Sequence, residues 1–358
     1  MIGTEFIDGQ GLGNQLFCYV TARAVAMENG YEFGTAGQER FAVNIHSNRG
    51  MYFMDVDLGH VISEEDKKNF KVYHDAEKRL FIGNSNHDLT HGCYVAGADP
   101  AIHSVADNTL LYGNLQDESY FIKYLPQVKE WLKVKPEYDS YEYSRENLCV
   151  INMRGGEYTG SPELLINRRY WLRGMEEMRK IRSDMEFVIV TDDVATAQKT
   201  LPGIEAHHFD IGKDYVTLKN AYYLLLSNSS FACLPAHTSE TLRFAIAPKY
   251  WARHNVSDGY WASEQNIYSL FHYMDRSGSL FTADACRREL AAYKERSKKY
   301  AAANQRPSGA KLQLAKLHAQ YIYKKAYVCK IGRGVMRRLQ KYKKGNGSVW
   351  EGNGKSGK

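Results

Sequence analysis

Cys149-Val150-Ile151-Asn152-Met153-Arg154-Gly155-Gly156-Glu157-Tyr158 is a short apolar run that ends in one arginine, a glycine pair and a carboxylate. The run predicts a buried strand over 148–153, and the glycines predict a sharp turn at its end. Arginine presents a permanent charge on a planar fork of donors, which suits phosphate oxygens where a strand end opens into a cleft. The glycines let the backbone come close to a ligand, and Glu157 is placed to act as acid, base or orienter. A strand, a tight turn and a solvated ion pair would give the same ten residues, so the flanking sequence has to decide.

On the C-terminal side the pattern is regular. Strands are predicted at 187–190, 204–209 and 248–251, alternating with helices at 169–181, 194–201, 215–226 and 238–245. Alternating strands and helices predict a parallel sheet whose ligands lie at the strands' carboxyl ends. Three polar turns fall at such ends: Arg154 to Glu157, Asp192 with Asp193, and Ser227-Asn228-Ser229-Ser230-Phe231. From 261 to 300 the chain reads as one charged helix. The tyrosine-rich stretch 133–145, with Pro136, reads as a linker.

On the N-terminal side, a strand at 5–8 leads into Gly9-Gln10-Gly11-Leu12-Gly13-Asn14-Gln15-Leu16-Phe17. Leu16, Phe17, Val20, Ala24 and Met27 then recur at helical spacing, so the glycines form the turn into a helix. Such a turn offers backbone N–H groups and a favourable dipole to an anion. It is not a dinucleotide fingerprint, which needs glycine where Asn14 stands. Further on, Gly113-Asn114-Leu115-Gln116-Asp117-Glu118-Ser119-Tyr120-Phe121 runs from a strand end into a helix. Gln116 and Asp117 are expected at the mouth of that turn, as contacts for the hydroxyls of a sugar acceptor. His74, His87, His91 and His103 have no metal-ligand spacing.

Length and charge bound the rest. A chain of 358 residues predicts two domains and a large core. The formal charge of +6 is unevenly spread: residues 311–344 hold eleven lysines and arginines and no acid, and residues 1–310 come to −6. The body is therefore not a nucleic-acid binder on charge grounds. Six scattered cysteines with no CxxC pair predict neither a zinc site nor a disulfide framework, and fit a reducing compartment. With Glu5 near the start and no long apolar run, the chain reads as cytoplasmic. The basic segment 311–344 interleaves leucines with its lysines, a pattern suited to peripheral contact with an anionic membrane face.

Together the turns supply one arginine, hydroxyls with backbone donors, and carboxylates. That inventory suits a nucleotide diphosphate held by protein cations.

The three quoted motifs, beginning at Gly9, Gly113 and Ser227, resemble in order and spacing those of the α-1,2-fucosyltransferases, glycosyltransferase family 11, over residues 2–251. The central motif of that family runs apolar-His-apolar-Arg-Arg-Gly-Asp-Tyr. Here Arg154, Gly156 and Tyr158 match it, Glu157 replaces its acid, and Asn152 and Gly155 depart from it. The resemblance implies an α/β fold of the GT-B type, with two Rossmann-like domains (1–140 and 146–300) facing a cleft; the charge pattern adds a basic amphipathic helical tail (301–358). It implies GDP-fucose as donor, inverting transfer without a metal or other cofactor, and a galactose-type hydroxyl as acceptor. That acceptor would belong to a surface polysaccharide or a lipid-linked oligosaccharide. The expected catalytic residues are Arg154 and Glu157. The expected donor contacts are Gly11, Gly13, Asn14, Gln15, Asn152, Asp192, Asp193, Ser229, Ser230 and Phe231. The two departures leave open a different nucleotide-sugar donor, or a sugar-binding relative without activity.

Overall fold

The computed structural model describes residues 1–43, 49–81, 93–96, 98–160, 164–249, 264–296, 309–318, 320, 321, 324 and 328. By contacts, residues 1–78 and 95–301 form one unit, and 79–94 with 302–358 a second.

The first unit holds two parallel sheets. Its N-terminal half comprises β1 (Ile2–Glu5), α1 (Leu12–Asn29), β2 (Phe33–Ala36), β3 (His60–Val61) and β4 (Lys71–His74). The pair β5 (Ala76–Phe81) and β6 (Cys93–Ala96) forms a small separate sheet, and β7 (Thr109–Tyr112) follows. The five-stranded sheet runs β3-β2-β1-β7-β4 with every pair parallel. The short helix α2 (Leu125–Trp131) comes next. The segment expected as a linker is pinned down: Val134 bridges to Met54, and Asn220 donates to Asp139 Oδ1 at 2.8 Å.

The second sheet begins with β8 (Leu148–Met153), all six residues buried, as expected of a strand covered on both faces. α3 (Arg168–Ile181), β9 (Glu186–Thr191), α4 (Val194–Thr200), β10 (Glu205–His207), α5 (Ile211–Lys219), β11 (Tyr223–Leu226), α6 (Cys233–Thr238) and β12 (Phe244–Pro248) follow. The hairpin β13 (His272–Met274) with β14 (Leu280–Thr282) and α7 (Ala283–Arg296) close the unit. The strand order is β10-β9-β8-β11-β12-β13-β14, parallel except for β14. Successive strands run outward from β8 to one side, then resume on its other side at β11. That reversal is the crevice where open α/β sheets bind ligands. The two-sheet α/β architecture matches the expectation from sequence.

Several boundaries differ from that expectation. The first strand is Ile2–Glu5, because Gly3 faces Gly34 in close register and dilutes the apolar signal. The helix expected over 215–226 stops at Lys219, and its apolar end, Tyr223–Leu226, is a buried strand. The next helix is Cys233–Thr238, with Pro235 tolerated in its first turn. Residues 244 and 245, the end of a predicted helix, instead begin the strand 244–248, which is flanked by β11 and β13. Residues 261–300 are not one helix: Asp275 Oδ1 accepts from the N–H groups of Ser277, Gly278 and Ser279, and builds a hairpin turn before α7. Residues 250 and 251 of the predicted last strand lie outside the described residues. In the second unit, residues 309–318 are helical, and no described helix is long and apolar enough to cross a membrane.

Candidate functional site

Register puts the polar turns side by side. Met153 pairs with Thr191, and Asn152 pairs with Val190 on one side and Leu226 on the other. The residues that follow, Arg154, Asp192 and Ser227 onward, therefore emerge together at the carboxyl ends. Arg154 and Asp192 line a cleft of about 460 Å3 with Gly9, Gly11, Gly13, Asn14, Asn152, Tyr158, His208, Asp214, Ser229, Ser230 and Phe231. That size is within the range of small-molecule sites.

Arg154 is fixed on two sides. Its Nη1 donates to Asp192 Oδ2 at 2.9 Å, and its guanidinium lies 5.1 Å from the centre of the Tyr158 ring. Asp192 also accepts from the Gly155 N–H at 2.7 Å through its other oxygen. One carboxylate thus ties the arginine to the turn that carries it, which limits the rotamers available to the guanidinium. Gly155 has a steric reason to be glycine: a Cβ there would stand 2.7 Å from Asp193 Cβ. The arginine that the family resemblance places at 155 would meet this wall.

The glycine loop approaches from the other sheet. Gly11 caps α1 in extended conformation with no side-chain hydrogen bond to the helix, which leaves the backbone N–H groups of its first turn uncapped, and Gly11, Leu12, Gly13 and Asn14 line the cleft. Gly13 packs directly on the turn after β11, where a Cβ would stand 2.5 Å from Phe231 N. Asn14 joins the two halves, its Oδ1 accepting from Ser230 Oγ at 2.7 Å and from Gln116 Nε2 at 2.8 Å. Ser229 caps the following turn by accepting from the Phe231 N–H.

Nine of the twelve donor and catalytic candidates line this cleft: Gly11, Gly13, Asn14, Asn152, Arg154, Asp192, Ser229, Ser230 and Phe231. Three do not. Gln15 is fully buried, donating to Arg40 O and accepting from the Ala42 N–H, so it holds the loop after β2. Asp193 caps α4 through Thr196, whose hydrogen bonds hold its carboxyl below the usual range. Glu157 sits in the turn Gly156–Gly160, and its side chain lies outside the described residues. The acceptor candidates sit further back. Gln116 is buried behind Asn14, with its Oε1 accepting from Asn266 Nδ2 at 2.8 Å. Asp117 caps the turn Glu118–Tyr120 by accepting from the Ser119 N–H.

The sequence reading missed His208 and Asp214. His208 follows β10, as Arg154 follows β8 and Asp192 follows β9, and its Nδ1 lies 3.1 Å from Asp214 Oδ2 on α5. The available signal was position alone: a histidine at the end of a third strand in the same sheet. Among the described residues no three His, Cys, Asp or Glu side chains gather as a metal site.

No family model matches the chain, and no curated protein matches it. Among solved structures it is similar to the α-1,6-fucosyltransferase NodZ co-crystallised with GDP, at 10% identity, covering 69% of this chain and 94% of that one, with a TM-score of 0.39. It is likewise similar to POFUT1 in complex with GDP, at 9% identity, covering 68% and 97%, with a TM-score of 0.39. The fucosyltransferase NodZ from Bradyrhizobium in its selenomethionine form gives 12% identity, 69% and 94% coverage, and a TM-score of 0.40.

Proposed function

We propose that this chain is a glycosyltransferase that transfers a sugar, with inversion and without a metal, from a nucleotide diphosphate to a glycan hydroxyl. The observation that carries the reading is the meeting of three anion-binding elements in one cleft: Arg154 held by Asp192, the uncapped start of α1, and the Ser229–Phe231 turn. A departing diphosphate gains negative charge as the glycosidic bond breaks. A preorganised guanidinium and backbone donors stabilise that charge without reorganising. The motif resemblance selects GDP-fucose as donor and α-1,2 transfer to a galactose-type acceptor.

In this reading Arg154 and the α1 amides hold the diphosphate, and Asn152, at the end of β8, hydrogen-bonds the nucleoside. Asn14 keeps the two halves of the cleft in register, and Gln116 acts through Asn14. Glu157 follows the arginine turn and takes the proton of the acceptor hydroxyl. The tail adds an address. Leu314, Leu317, Tyr321 and Val328 are exposed in a stretch rich in lysine, which suits the anionic inner face of a membrane and a lipid-linked acceptor there.

A thermal-shift screen of GDP-fucose, other GDP-sugars and UDP-sugars, followed by turnover assays, tests the reading. Stabilisation and turnover with GDP-fucose support it; turnover with another nucleotide sugar reassigns the donor. Glycan binding without turnover would mark a non-catalytic relative. Arg154→Ala should lower kcat/KM by at least a hundredfold, the scale of losing one preorganised charge donor. Normal turnover in that variant would overturn the mechanism.

A further inference from the structure

The charges of the cleft do not suit a diphosphate as they stand. Among its described lining residues Arg154 is the one permanent cation, and Asp192 is bonded to it. Asp214 adds a second acid, so with a neutral His208 the described lining residues sum to about −1. A second arginine at residue 155 would correct this, but Asp193 fills the space its side chain would need. The remaining group that can change sign is His208, a third exposed on the same cleft wall.

We propose that His208, oriented by Asp214, is the second cation of the donor cleft, and that it takes up a proton when a nucleoside diphosphate sugar binds. The inference rests on the donor reading above. Its geometry is a carboxylate–imidazole pair at the end of β10, with Nδ1 3.1 Å from Asp214 Oδ2. Asp214 also accepts from the Phe209 N–H, so the carboxylate cannot swing away without losing a backbone bond. The charged groups around His208 are Asp214 and Asp210 on or capping α5, and Asp192 at the end of β9. The hydrogen bond to Asp214 raises the imidazole above its ordinary range, and burial raises the Asp214 carboxyl in turn. Both shifts favour keeping a proton on the pair. An incoming diphosphate favours it further, because opposite charge stabilises the protonated form. Affinity should therefore be highest at mildly acid pH and fall as pH rises through the titration of His208.

Calorimetric titration with GDP-fucose at pH 6 to 8.5, in buffers of different ionisation enthalpy, counts the protons exchanged. The donor's diphosphate is esterified at both ends, so its own phosphates do not titrate in this range. The expected result is net proton uptake near pH 7 and a five- to twentyfold weaker affinity at pH 8.5 than at pH 6. His208→Gln should abolish the uptake and flatten the profile at the weaker affinity. His208→Lys should flatten it at a tighter one, with circular dichroism confirming that both variants fold. Guanosine, which lacks the diphosphate, should bind without proton uptake. Pronounced uptake with guanosine, a flat wild-type profile, or unchanged uptake in His208→Gln would each overturn the proposal while leaving the donor reading intact. Failure of every nucleotide sugar to bind at any pH would overturn both.

Discussion

Gly155 departs from the fucosyltransferase motif that the sequence around it resembles, and its surroundings explain the departure. A side chain at 155 points at Asp193 Cβ, and Asp193 cannot retreat because it caps α4 through Thr196. We expect Gly155→Ala to cost about 1–3 kcal/mol, the usual penalty for forcing atoms into a packed site. Donor affinity should fall with it, since the Gly155 N–H is bonded to the carboxylate that holds Arg154. Thermal unfolding and a GDP-fucose titration measure the two losses; an unchanged melting temperature would show that the α4 cap yields. The arginine, the acids and the glycines were legible in the sequence, because each has a chemistry tied to its residue type. Which acid does what was not legible. Asp192 and Asp193 are adjacent, yet one clamps Arg154 and the other caps a helix, a division set by which way each side chain leaves the end of β9.

At the scale of elements, the alternation that predicts a parallel sheet survived every misplaced boundary, because the polar turns mark the strand ends whatever lies between them. The misses were short apolar runs such as Tyr223–Leu226, where a buried strand and a helical turn look alike in sequence. What holds these elements together was less visible still. Glu118, in the turn before α2, accepts from Arg287 Nη2 of α7 at 2.5 Å and from the Ser269 N–H at 2.8 Å, with His237 of α6 at 3.7 Å. Burial raises the Glu118 carboxyl, but the nearby His237 ring and the hydrogen bonds from Ser269 outweigh it and hold it down at about 2. A carboxyl depressed on folding contributes stability above its ordinary value of 4.5 and loses it as pH falls toward 2. The chain should therefore lose stability between about pH 5 and pH 2. Glu118→Gln should remove that part of the acid sensitivity and cost about 3 kcal/mol at pH 7. Urea unfolding of both proteins across that pH range checks it; parallel pH profiles would assign the acid sensitivity elsewhere.

At the scale of the whole molecule the question is why a body of net −6 carries a tail with eleven cations in 311–344. We propose that the tail makes peripheral contact with an anionic membrane face. On an ideal helix, at about 100° per residue, the sequence positions of Leu314, Leu317, Tyr321 and Val328 fall within roughly 60° of one another. All four are more than 60% exposed. An apolar stripe left open to water among lysines has the form of an interfacial helix, with its stripe in the acyl boundary and its cations among anionic headgroups. Each cation near such a surface contributes about 1 kcal/mol, and the leucines add apolar burial. Co-sedimentation with vesicles of mixed anionic and neutral lipid should therefore pellet the full chain at low salt and release it at high salt. Leu314→Ser with Leu317→Ser should weaken partitioning on the order of tenfold to a hundredfold. Removal of the residues after Ala310 should abolish it while leaving transfer to a soluble acceptor unchanged. Neutral vesicles should pellet little in every case. Equal pelleting of the full and shortened chains would reject the membrane role and leave the tail as a basic helix with some other acidic partner.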